Sequence, residues 1–380
     1  MYKVSVIIPV YNSEKFLAQC LDSVVTQSLS DIQIICINDG STDKSADILD
    51  NYTRNYPNVS VITQENEGPS SRNKAIDKAE GKYIYFLDSD DIITVNALEK
   101  LYEICEQKEL DILFFSADTF FEQNKLKKTH IDFKGRYLRQ GKYQEVKSGV
   151  DLLVELISNK KADGASSDYI VSACLMFVRA DLLNTHNIRF MSGVYHEDNL
   201  FCFACLMKAE KAYCVNDIFY FRRIRSGSIM TNDETHINLL GYYKCFINQY
   251  DIAYDKKLRL QQQEAVQEIL SVLCFHISRI YKLLDVSERE KFLDKLTKKE
   301  KYFFTTFFEA NVLFELEIRE KFSRENAILR AELKEIDDNI FFRIGRVITF
   351  PMRKLRTTVK VLKTRGISGI VQVIVYKFKR

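Results

Sequence analysis

Within its first hundred residues the chain alternates apolar, β-branched runs with helix-forming stretches, and few folds accommodate that order. The runs are VSVIIPV (4–10), IQIICIND (32–39), VSVIT (59–63) and KYIYFLD (82–88). VSVIIPV has no polar face, the pattern of a strand buried on both sides of a parallel sheet. Between the runs lie YNSEKFLAQCLDSVVTQS, GSTDKSADILDNYTRNY and NEGPSSRNKAIDKA. The first places Phe16, Leu17, Cys20, Leu21 and Val24 at helical spacing, with Asn12 or Ser13 as its N-cap. A βαβαβαβ order predicts an open, mostly parallel sheet with helices on both faces. Ligands of such sheets sit outside the carboxyl ends of the strands. The segments PVYN (9–12), NDGSTD (38–43) and DSDD (88–91) all fall at such ends, so they are expected to converge on one cleft.

FLDSDD (86–91) concentrates charge there: Asp88, Asp90 and Asp91 occupy three of four consecutive positions after an apolar run. A helix follows (VNALEKLYEICEQKEL), and one Asp could cap it. Capping leaves the others unexplained, because like charges this close repel unless a cation or a hydrogen-bond network compensates. On an extended chain residues two apart point the same way, so Asp88 and Asp90 can face one ligand. A hard divalent cation suits such oxygens and completes its shell with substrate phosphates.

The remainder divides by composition. Residues 1–110 and 111–234 read as two halves of one α/β domain, and 235–338 as a helical region containing LRLQQQEAVQEILSVLCFHISRIYKLL, free of Gly and Pro. A further helix is expected at roughly 311–337. Residues 339–380 form a tail with eleven Lys or Arg and no acid, so the net charge of +3 less eleven leaves −8 on the body. That acidic body gives no support to nucleic-acid binding. The tail interleaves its cations with aromatic and branched residues. It is expected to lie on an anionic membrane surface, with packing on the helical region or a sister subunit as the alternative. VSVIIPV is short and carries Pro9, so it reads as a strand and not a signal peptide. No transmembrane span is expected, since no 18-residue stretch is apolar and free of charge. The nine cysteines are irregularly spaced, as in reduced cytoplasmic proteins, and the Cys202–Cys205 pair lacks a zinc-spaced partner pair, so it reads as core. The scattered histidines read as structural.

VSVIIPVYNSEKFLAQCLDSVVTQS, IICINDGSTDKSADIL, NEGPSSRNKAI and GKYIYFLDSDD, in that order, resemble the family 2 glycosyltransferases with the GT-A nucleotide-sugar fold. The resemblance is strong over 3–100, weaker over 190–230, and absent beyond about 235. It implies that Pro9, Val10 and Tyr11 pack along a nucleoside, although Tyr11 could be a core aromatic. It implies that Asp39 accepts the uracil N3–H, with a helix cap as the alternative. Arg72 would sit beside the nucleotide, the alternative being a solvated helix face. Asp88 and Ser89 would contact the donor, with Asp88 on the ribose or a metal-bound water. Asp90 would be the main ligand of Mn²⁺ or Mg²⁺. GVYHEDNLF (193–201) resembles the acceptor block, in which Asp198, with Glu197 beside it, deprotonates the nucleophile; a helix cap is again the alternative. YFRRIRSGSI (220–229) resembles a loop over the donor, bringing Arg222, Arg225 or Ser228 to the diphosphate.

The expected activity is therefore metal-dependent, inverting transfer from a nucleoside-diphosphate sugar, with UDP as nucleotide. The acceptor would be a hydroxyl of a saccharide or lipid-linked saccharide, in cell-surface polysaccharide or glycoconjugate synthesis. Processive members carry a Gln-x-x-Arg-Trp block and membrane spans; with no Trp in the chain a non-processive enzyme is expected, cytoplasmic and peripheral on the membrane. The helical extension allows a homo-oligomer. A non-catalytic sugar-nucleotide-binding scaffold is the rival reading. A nucleotidyltransferase would want a Gly-rich basic loop where PVYNSEKF stands.

Overall fold

β1 (Val4–Val10) lies inside an eight-stranded sheet, and its side chains explain why: Val4, Val6, Ile7, Ile8 and Val10 are all fully buried. β2 (Ile32–Asp39) and β4 (Tyr83–Phe86) flank it in parallel, and β3 (Val59–Gln64) pairs in parallel outside β2. With β5 (Ile92–Ile93), β6 (Ile112–Phe121), β7 (Met176–Arg179) and β8 (Ala212–Ile224), the strand order is β3-β2-β1-β4-β7-β6-β8-β5. β7 is antiparallel to β4 and β6, β8 is parallel to β6, and β5 is antiparallel to β8. Six strands therefore share one direction, and β5 and β7 oppose it. The register brings Val10 beside Asn38 and Asp39 beside Gln64, so the carboxyl ends of β1, β2 and β3 finish level. The structure is a computed structural model that describes residues 2–122, 135–161, 166–225 and 234–310. Its compact unit is Met1–Ala310. The expected helix at 311–337, the tail at 339–380 and Ser228 lie outside the described residues.

The sheet is layered by α1 (Leu17–Val25), α2 (Ser45–Asn55), α3 (Arg72–Ile76), α4 (Ala97–Lys108), α5 (Gly149–Ser158), α6 (Ala180–Thr185) and α7 (Asp198–Lys208). Two local expectations need correction. Neither Asn12 nor Ser13 caps α1 with its side chain: the Ser13 carbonyl accepts the Phe16 and Leu17 N–H groups at 2.9 Å, and the Ser13 hydroxyl lies 2.7 Å from that of Ser89. None of the acids at 88–91 caps α4, which starts after Asn96 with no side-chain cap. The short β5 intervenes and separates the acidic turn from the helix.

After residue 235 come α8 (His236–Tyr254), α9 (Leu260–Leu283), α10 (Val286–Asp294) and α11 (Lys298–Phe304), as the uninterrupted helical pattern predicts. α9 buries Ala265, Val266, Ile269, Leu273, Ile277 and Ile280, one face of a helix. Tyr243 of α8 meets Phe304 edge-on at 5.2 Å and Phe292 at 5.8 Å, which anchors the later helices to it. Among the described residues no helix is long and apolar enough to cross a membrane.

Candidate active site

The loops after β1 and β2 are stitched together by side chains. Asn12 adopts φ 47°, and its Oδ1 accepts the Thr42 N–H at 2.8 Å while its own N–H donates to the Ser41 hydroxyl at 3.2 Å. Val10 is buried in the core, but the Tyr11 ring is 52% exposed, so it is not a core aromatic. Asp39, almost fully buried, does not cap α2, whose first N–H is instead served by Asp43, 2.9 Å from Ser45 N. Asp39 Oδ1 accepts from Gln64 Nε2 at 2.7 Å and from the Glu67 N–H at 2.9 Å. Its Oδ2 takes no hydrogen bond from the described residues, leaving one acceptor at the end of β2.

The acidic run is a turn and not an extended strand: Asp91 N donates to the Asp88 carbonyl at 3.0 Å. The alternation that would point Asp88 and Asp90 at one ligand therefore does not hold. Each carboxylate has its own compensation, drawn from the chain itself. Asp88 Oδ1 receives Arg72 Nη2 at 2.7 Å. Burial alone would push the Asp88 carboxyl up, but Arg72, then Arg222, outweigh it and hold it below its usual range. Asp90 Oδ2 receives Arg225 Nε at 2.6 Å. Asp91 is buried, accepts the Arg223 N–H at 2.6 Å and the Tyr220 hydroxyl, and so ties the turn to β8. Burial and the neighbouring Asp90 push its carboxyl well up. Asp91 is thus the structural member of the run. Arg222, beside them on β8, rests its guanidinium 5.2 Å from the Tyr137 ring centre.

Arg72 is the hub that sequence reasoning placed on the nucleotide. It is 8% exposed and not on a solvated face, and its second amino nitrogen lies 3.4 Å from Glu197 Oε1. It spans two loops 109 positions apart, counting from Asp88 to Glu197. An aromatic cluster holds the same two loops: Phe86 meets Phe190 edge-on at 5.2 Å and Phe201 at 5.5 Å, and those two rings stack at 3.9 Å. Such pairs add about 0.5–1.5 kcal/mol each beyond their burial. Arg72 lies over Phe190 at 5.3 Å.

Neither acid of the 193–201 block caps α7: Glu197 is the N-cap residue by position and makes no side-chain cap bond. The Asp198 carboxylate lies near the Ala173 backbone, and its Oδ1 is buried with no hydrogen-bond partner among the described residues. Burial pushes both carboxyls up. Asp198 adds to the push on Glu197, Asp88 to that on Asp198, and Arg72 pulls both back. His196 points away, stacked on Tyr242 at 4.1 Å. Cys202 and Cys205 are buried in the core, as expected.

Among the described residues no group of three or more His, Cys, Asp or Glu gathers as a closed metal site. A hard cation held by one or two carboxylates and completed by substrate phosphates needs no such group. Asp90 Oδ1 fits that demand, because it takes no hydrogen bond from the described residues and its side chain is 20% exposed. Asp88 Oδ1 is held by Arg72, whose positive charge beside it disfavours a cation there, which leaves Asp88 the supporting role.

Residues 5–160 match the family model described as Glycosyl transferase family 2. An uncharacterized glycosyltransferase of Haemophilus influenzae is 34% identical over 235 residues, covering 57% of this chain and 93% of that protein. A poly(ribitol-phosphate) beta-glucosyltransferase of Bacillus spizizenii is 35% identical over 236 residues, but the chain spans only 33% of its length. Among solved structures, S. aureus TarS 1–349 in complex with UDP-GlcNAc shares the fold with a TM-score of 0.59 at 22% identity, covering 77% of this chain and 79% of that one. The Pyrobaculum calidifontis mannosyltransferase PcManGT, in complex with GDP-Man and Mn²⁺, does so at 0.50 and 14%, covering 88% and 87%.

Proposed function

The chain belongs to glycosyl transferase family 2, and from that premise we propose that it is an inverting, metal-assisted transferase. It moves one hexosyl or N-acetylhexosaminyl unit from a UDP-sugar to a hydroxyl of a saccharide or lipid-linked saccharide. The observation that carries the reading is the buried Oδ1 of Asp198, without a hydrogen-bond partner among the described residues and close enough to Asp88 of the acidic turn to feel its charge. A carboxylate oxygen kept from water and from protein donors is a proton acceptor awaiting a substrate.

Each residue then has a task. Asp39 Oδ2 accepts the uracil N3–H. Because Oδ1 is held by Gln64 and Glu67, a base edge with one donor suits it better than guanine, whose paired donors want both oxygens. The exposed Tyr11 ring offers the base a face, with Pro9 and Val10 shaping the turn beneath it. Ser89, bonded to Ser13, fixes the acidic turn against the β1 loop. Arg222 meets the diphosphate. Asp90, with Asp88 behind it, would hold Mn²⁺ or Mg²⁺, which when bound neutralises charge on the departing diphosphate. Asp198 takes the proton of the acceptor hydroxyl as its oxygen bonds to the anomeric carbon and the bond to the UDP oxygen breaks. Glu197 braces Asp198 through Arg72. The experiment is a donor and acceptor screen by UDP release with Mn²⁺ present, with the anomeric proton read by NMR. Transfer with inversion supports the reading; UDP binding without turnover on any acceptor favours the scaffold alternative.

Two further outcomes are expected. Asp39→Ala leaves a uracil N–H without its partner and weakens UDP binding by about 1–3 kcal/mol. Unchanged affinity by calorimetry would reduce Asp39 to a brace for Gln64 and Glu67. Arg72→Gln removes the positive charge that pulls Glu197 and Asp198 down, so both carboxyls rise further. Because the base works deprotonated, the acidic limb of the kcat–pH profile moves to higher pH. A limb that stays put would mean that Arg72 does not act on the base.

A further inference from the structure

We propose that α8, the first helix after the sheet, is the seat of the catalytic loop, and that Asn238 and Gly241 are positioning residues for the base. The inference rests on the reading of Asp198 given above. Four contacts carry it, all from one face of α8. Asn238 Nδ2 lies 3.2 Å from His196 Nε2. Gly241 presses its backbone against Tyr195: a Cβ there would stand 1.9 Å from the Tyr195 carbonyl oxygen and 2.9 Å from its carbon. Cys245 Sγ donates to the His196 carbonyl at 3.4 Å, and Gln249 Nε2 to the Asn199 carbonyl at 2.8 Å. Positions 238, 241, 245 and 249 advance by three, four and four, which places them along one side of a helix.

The loop they grip cannot relax into this shape alone. His196 holds φ 65°, a left-handed conformation that L-residues with a Cβ avoid unless their surroundings enforce it. That single residue turns the chain so that Glu197 faces Arg72 and the Asp198 carboxyl beside it is buried. Its ring is fixed by Asn238 and by stacking on Tyr242 at 4.1 Å. Asn238 is itself oriented, because its Oδ1 accepts the Thr235 N–H at 2.9 Å, so its amide nitrogen is the end that meets His196. An amide nitrogen only donates, so His196 Nε2 is the acceptor and the ring is neutral. Burial, then His276, holds the ring pKa down to about 4, in keeping with that role. Gln249 is fully buried, so its bond to Asn199 fixes the start of α7 without competition from water. The helical region thus supplies the rigid face on which the acceptor side of the site is set.

The test compares Gly241→Ala, Asn238→Ala and Asp198→Asn with Tyr243→Phe, which loses a bond from the same helix to the Glu300 carbonyl. For each folded variant, kcat, donor KM, UDP affinity and melting temperature are measured. Gly241→Ala and Asn238→Ala are expected to lower kcat by roughly 10–100-fold, the scale of a small misplacement of a catalytic group, with donor KM and UDP affinity within about twofold. Tyr243→Phe is expected to keep kcat even where its melting temperature falls, which separates positioning from stability. Should Gly241→Ala fail to fold, Asn238→Ala decides. Wild-type kcat in the folded loop-facing variants overturns the seat whatever Asp198→Asn does. An active Asp198→Asn beside a crippled Gly241→Ala removes Asp198 from the chemistry and leaves the seat standing.

Discussion

Asp90→Ala is expected to abolish sugar transfer and to strip UDP binding of its response to Mn²⁺. The reason lies in how the acidic turn divides its work. Asp91 is buried against Tyr220 and the Arg223 backbone, and Asp88 is drawn to Arg72. Asp90 keeps an oxygen, Oδ1, that takes no hydrogen bond from the described residues, whereas the Asp88 carboxylate lies against the Arg72 guanidinium, whose charge repels a cation there. Charge stabilisation on a departing phosphate is worth several kcal/mol. At about 1.4 kcal/mol per factor of ten in rate, its loss lowers transfer by roughly 10³-fold or more. The fold should survive, because Asp90 makes its side-chain ion pair with the part-exposed Arg225 and not with the core. UDP binding should persist weakly through Asp39, with equal affinity in Mn²⁺ and in EDTA. Transfer near the wild-type rate, or UDP affinity that still rises with Mn²⁺, would remove Asp90 from the metal.

The parts of this account that were legible in the sequence are those written in local pattern. VSVIIPV and IQIICIND announce buried strands because both faces are apolar, and the parallel register that follows puts Val10, Asp39 and the acidic turn at one end without further information. The four spaced blocks then name the chemistry. What was hidden is set by long-range pairing. β7 is only four residues long, and nothing in MFVR says that it runs against β4. Arg72 shows as a cation near the nucleotide, but its partners Asp88 and Glu197 lie 16 and 125 residues away. The extended alternation argued for Asp88 and Asp90 failed because the chain turns at once, and the turn is held by Tyr220, a partner 129 residues from Asp91. One signal was available and unread: a lone glycine, Gly241, inside a helical pattern marks a close approach, and here that approach is to Tyr195, in the loop before the proposed base.

Asp198→Asn is expected to keep UDP binding and lose turnover, and the separation is the strongest consequence of the site's geometry. Asparagine has the shape of aspartate, so it fits the same buried place at the start of α7. It lacks the charge and the basicity that Oδ1 needs to accept a hydroxyl proton, a loss of typically 10²–10⁴-fold in rate. The nucleotide contacts proposed for Asp39, Arg222 and Asp90 lie on β2, β8 and the acidic turn and are untouched by the change. The raised carboxyl of Asp198 adds a second signature: wild-type kcat should rise with pH through a limb above the ordinary range of an aspartate, and that limb should vanish in the variant. The decisive measurement is paired calorimetry and UDP release on wild type and Asp198→Asn, with Mn²⁺ and a saturating acceptor. The account predicts UDP affinity within about twofold and transfer reduced by roughly 10²-fold or more. Turnover at the wild-type rate, or affinity and turnover falling together, would contradict the assignment of Asp198 as the base of the transfer.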